Sequence, residues 1–133
     1  MMTAPVVARE PAKGVDYRVV QYGGQRILRL DFSGLTPEGV IQALEQAKPV
    51  IASEPPRSIR LLSIWRARQT RETAAAIKRF AAHNGPFIRA SAVVGATPLQ
   101  STVLVLAIRS QGRENLEVFD DEEQAMQWLA AIP

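Results

Sequence analysis

The stretch SIRLLSIWRARQTRETAAAIKRFAAHNGPFIRASAVV, residues 58–94, decides the fold. Ser58–Trp65 is a short apolar run with strand character, suited to the middle of a sheet. Thr70 or Thr73 then caps a helix that carries Ala74, Ala75, Ile77, Phe80 and Ala81. Asn84-Gly85-Pro86 closes it: glycine for a left-handed cap, proline to prevent resumption. Phe87–Val94 is the next strand. Two strands joined through a helix of this length form a parallel pair with a crossover.

Upstream, Tyr17–Tyr22 (YRVVQY) and Arg26–Phe32 (RILRLDF) are β-runs joined through Gly23-Gly24. Glycine supplies the positive φ of a primed turn, so these two runs are a hairpin. Thr36-Pro37-Glu38 opens a helix with a hydroxyl cap, a proline in the first turn and an acid near the positive end of the dipole. Val40, Ile41, Leu44 and Ala47 form its inner face. Pro49 is expected to kink the helix rather than end it, because Val50 and Ile51 continue that face. Glu54-Pro55-Pro56 ends the element.

Downstream, Thr97-Pro98 repeats the capping signal and opens a segment to Gly112. Its centre, Ser101–Ser110 (STVLVLAIRS), could be strand by composition. A helix is preferred, because a cap precedes it and consecutive parallel strands need a crossover. Asn115–Phe119 is a fifth strand. Asp120 or Asp121 caps a last helix with Ala125, Met126, Trp128 and Leu129 facing inward. The expected architecture is therefore a single α/β domain over residues 16–133, after a flexible N-terminal tail over 1–15. Its sheet is mixed, mostly parallel and five-stranded, with an N-terminal antiparallel hairpin and about four helices, in the order β-β-α-β-α-β-α-β-α.

Composition narrows the function. The 133 residues include no cysteine and one histidine, which removes thiolate metal sites, disulfides and cysteine nucleophiles and leaves little imidazole chemistry. No Walker, GxGxxG or GxSxG pattern occurs. The net charge is +3 and 13 of the 16 bases are arginine, which stay charged at any working pH. No window resembles a secretory leader or a membrane span, so a cytoplasmic protein is expected. The reading is non-enzymatic, with no cofactor.

Charge is unevenly placed. Arg57 to Arg89 holds eight bases and one acid, whereas Glu114 to Glu123 holds six acids and no base. Trp65, Arg66, Arg68, Thr70 and Arg71 sit where a strand hands over to a helix N-terminus, whose free N–H groups and dipole also favour anions. The sharper reading is a site for an acidic or phosphorylated partner; the plainer one is a solvated loop whose arginine stems cover Trp65. The acidic stretch first complements the N-terminus of the last helix, and could also meet the basic loop of another copy. Four large apolar residues in a row at 103–106 cover nearly the whole circumference of a helix. Leu104 and Leu106 are thus candidates for homodimer contact, set against simple packing by flanking helices. Nucleic acid is disfavoured, because the acidic end offsets much of the basic excess and only eight residues are aromatic.

The layout resembles the STAS-like, or SpoIIAA-like, domains. The resemblance spans Tyr17 to Ala131 and rests on three stretches. These are strand Ser58–Trp65 with its polar loop and helix, Ile88–Val94 running into Gly95, and the ending VFDDEEQAMQWL, residues 118–129. It implies a bacterial regulatory module that docks on other proteins, in some members under control of a phosphorylated serine after the central strand. Where the family's acid-serine-glycine setting is expected, this chain has Trp65-Arg66-Ala67-Arg68-Gln69-Thr70-Arg71-Glu72-Thr73, so the phospho-switch does not carry over. Similar folds include CRAL-TRIO lipid carriers, which implies the alternative: a carrier of an apolar small molecule or lipid between sheet and helices.

Overall fold

The computed structural model describes residues 16–97, 102, 105, 106, 109 and 115–133. Strands β1 (Asp16–Tyr22) and β2 (Gln25–Asp31) form the expected hairpin, paired from Tyr22↔Gln25 to Asp16↔Asp31. Gly23 and Gly24 both have positive φ, +56° and +79°, as a primed two-residue turn demands. Helix α1 (Pro37–Ala52) follows, then β3 (Ile59–Ile64), α2 (Arg71–Asn84), β4 (Ile88–Val94), β5 (Leu116–Phe119) and α3 (Glu122–Ala131).

The strands lie in the order β1-β2-β3-β4-β5, and every pair after the hairpin is parallel. Because crossovers are right-handed and each step moves the same way across the sheet, successive crossover helices fall on one face. Accordingly α1 and α2 pack on each other and share a core with Leu28, Leu30, Phe32, Leu61, Trp65 and Val93. The opposite face carries Ile27, Leu62, Ile64, Ala90, Ala92 and Val94 and is covered by α3 through Ala125 and Leu129. All six residues of β3 are buried, Arg60 and Ser63 among them, as befits a strand covered on both sides.

Two details depart from the sequence reading, and a third, at Pro49, follows it. Continuous helices number three among the described residues, against the expected four. Most of the segment after Thr97 lies outside them, but its described residues Thr102, Val105, Leu106 and Arg109 are helical. Gly85 has φ −45° rather than a left-handed value; α2 passes directly into a 3-10 turn over Gly85–Phe87. Helix α1 runs through Pro49 to Ala52 with Ile51 fully buried, so packing of the last turn outweighs the lost hydrogen bond.

The acidic stretch is used to dock α3. Asp121 accepts the Gln124 N–H at 2.8 Å as N-cap, Glu122 takes both Nε and Nη2 of Arg29 at 2.9 and 3.1 Å, and Glu123 accepts from the Tyr22 hydroxyl. At the other end of α3, the buried Arg60 donates to the carbonyls of Leu129 (2.8 Å) and Ile132 (2.6 Å), and Arg89 donates to that of Pro133 (3.0 Å). Cations suit a helix C-terminus for the same reason that acids suit its start. No helix among the described residues is long and apolar enough to cross a membrane.

Candidate functional site

Parallel strands leave their connecting loops and the following helix N-termini at their carboxyl ends, where open α/β sheets bind ligands. Here the loops after β2, β3 and β4 are laced together by backbone. Phe32 N–H bonds the Ile64 carbonyl at 2.9 Å, Trp65 N–H the Val94 carbonyl at 2.8 Å, and Gly34 N–H the Arg66 carbonyl at 3.0 Å. Between them runs an open groove of about 680 Å³, with Gly34 and Leu35 on one side, Trp65 to Gln69 along its length, and Gly95 and Thr97 opposite.

The structure brings Arg66 and Arg68 to this groove, both exposed, and among the described residues no acidic side chain lines it. Neither guanidinium is hydrogen-bonded or ion-paired to a described residue. The Arg66 stem runs across Gly95: a β-carbon there would lie 2.6 Å from Arg66 Cγ. Gly95 also has φ +87°, so its backbone suits glycine on two counts. Asp31, at the end of β2, adds a nearby negative charge. Partial burial pushes its carboxyl up, but hydrogen bonds from the Ser33 side chain and backbone N–H, with the charges of Arg29 and Arg66, carry it below the usual carboxylate range.

Trp65, expected in the recognition loop, is a core residue. It is 4% exposed and stacks on Phe32 with ring centroids 4.2 Å apart and planes 5° from parallel, so little of it is left to line the groove. Thr70 is architectural too. Its hydroxyl accepts the Thr73 N–H at 3.1 Å while the Thr73 hydroxyl accepts the Thr70 N–H at 2.7 Å, a reciprocal box that closes the start of α2. Thr73 is fully buried. Arg71, the first residue of α2, is exposed but stands outside the groove wall.

Of the self-association candidates, Leu106 is 65% exposed, Val105 beside it packs on the core, and Leu104 lies outside the described residues. Gly34, Leu35, Gly95 and Thr97 are not among the site residues to which the sequence points. A glycine just after each of two strand ends was the available signal, but which loops become neighbours depends on strand order.

A second recess lies between β3, β4 and α2, where Ser63, Asn84 and Ser91 meet Leu61, Phe80 and Val93. It measures about 30 Å³, the room of a single water. No group of three or more metal-ligating side chains gathers among the described residues. No family model, curated protein or solved structure matches the chain.

Proposed function

We propose that this chain is a non-enzymatic protein-interaction or regulatory module, which acts in the cytoplasm as a homodimer and docks an acidic or phosphorylated segment of a partner protein on the carboxyl rim of its sheet. One observation carries the reading: Arg66 and Arg68 stand exposed along a single open groove with no carboxylate among the described residues of its lining. Arginine presents a planar fork of donors that matches carboxylate and phosphate geometry, and an open groove admits a chain segment as well as a small anion. The layout's resemblance to STAS-like regulatory domains supports the same reading, and the absence of cysteine suits a reducing compartment. The recess under α2 has the room of a single water and gives an apolar carrier no support.

The test is a titration of the full chain against a panel of phosphoserine-containing and glutamate-rich peptides. Wild type should bind at least one class, and the double reversal Arg66→Glu with Arg68→Glu should weaken that binding about tenfold or more, as loss of two charge-assisted contacts implies. The circular dichroism of the variant should be unchanged. Equal binding by the two proteins, or none by wild type, overturns the reading.

A further inference from the structure

The two edges of the sheet are finished differently. Strand β5 is four residues long, and Arg109 reaches it: Nη2 donates to the Leu116 carbonyl at 3.4 Å and approaches the Glu117 carboxylate at 4.0 Å. Strand β1, at the other edge, has seven residues in unbroken register with β2. It contains no proline, no lysine and no bulge, the usual devices that blunt an edge. Among the described residues no backbone hydrogen bond reaches its outer side. Such a row of N–H and C=O groups is a template for one more strand.

We propose that this strand is a second copy of β1. The two copies pair antiparallel about a two-fold axis at Val19 and join two five-stranded sheets into one of ten. Self-pairing has to be self-complementary, because the same patch serves both partners. With the axis at Val19, Val19 faces its own copy, Tyr17 faces Gln21 and Arg18 faces Val20, so no like charges stand directly opposed. An axis one residue earlier would set Arg18 against Arg18, which costs stability. Val19 is 39% exposed although its neighbour across the β1–β2 ladder, Leu28, is buried. The partner's Val19 continues that apolar row and covers it. Leu106 is more exposed, but no second large apolar side chain is exposed with it on that segment among the described residues.

This inference rests on the dimeric part of the proposed function and moves the contact from Leu106 to the far edge of the sheet. The chain has no cysteine, so Val19→Cys and Leu106→Cys each introduce a lone thiol. Wild type should sediment as a dimer at about 50 µM, a concentration that populates even a micromolar dimer. Under a short bismaleimide, the Val19→Cys chain should form a covalent dimer and Leu106→Cys should not. Val19→Lys, which opposes two ammonium groups across the axis, should raise the dimer dissociation constant about tenfold or more and keep the wild-type circular dichroism. A monomeric wild type overturns both the dimer and its interface. A dimer that Val19→Lys leaves intact, or that cross-links through position 106 instead of 19, overturns this interface alone. Should Val19→Lys fail to fold, the cross-linking pair decides.

Discussion

Arg66 and Gly95 are packed stem against backbone: a single added carbon at position 95 would meet Arg66 Cγ at 2.6 Å. Glycine at the end of β4 therefore sets the course of an arginine at the end of β3, on the neighbouring strand. Both residues line the rim groove.

Gly95→Ala should accordingly damage both stability and recognition. The positive φ alone costs about 1–2 kcal/mol for a residue with a side chain, and the methyl group must push the Arg66 stem aside. Thermal denaturation should show a lower Tm, and binding of acidic peptides should weaken. Gly24→Ala, at a positive φ where an added carbon meets nothing within 4 Å, should lose stability without losing binding.

Arg60 ties the central strand to the end of α3 through two backbone carbonyls. Arg60→Ala removes a buried charged donor and strands both acceptors, a loss of about 2–4 kcal/mol. Hydrogen exchange should show the last turn of α3 opening first, while the groove, at the opposite end of the strands, keeps its affinity.

Thr70 separates capping from recognition. Thr70→Ala should cost about 1 kcal/mol by removing the α2 cap, whereas Thr70→Asp, itself a good N-cap, should be nearly neutral. Urea denaturation measures both. A cap that acts only on the helix leaves peptide affinity the same in the Ala variant; a drop at unchanged fold would make Thr70 a contact residue.

Asp31 should appear in the acid limb of the stability curve. Its carboxyl titrates below its ordinary value of 3.8 in the folded chain, so it contributes stability that is fully present above that value and is lost as the pH falls through the lower folded one. Asp31→Asn should flatten stability against pH below 3.8 relative to wild type, measured by denaturant titration at each pH. The curves should run parallel at neutral pH.

Much of the fold is legible along the chain because its signals are local. Thr36-Pro37, Gly23-Gly24 and Asp121 each act within a few residues, through a cap or a turn, and each appears where the sequence puts it. Gly85 shows where local reading stops. Its sequence context asks for a left-handed cap, yet the chain needs a right-handed turn there to deliver Ile88 to the sheet.

What the sequence determined by itself is the alternation of strands and helices and the pooling of arginines between residues 57 and 89, since period and composition are properties of neighbours. Only the tertiary structure decided how those arginines divide. Arg66 and Arg68 lie at the carboxyl rim, while Arg60 and Arg89 bind the end of α3, because the two ends of a parallel strand face different surroundings. It decided too that Trp65 stacks on Phe32 rather than meeting solvent. That contact joins residues 33 positions apart and exists only once β2 and β3 lie side by side.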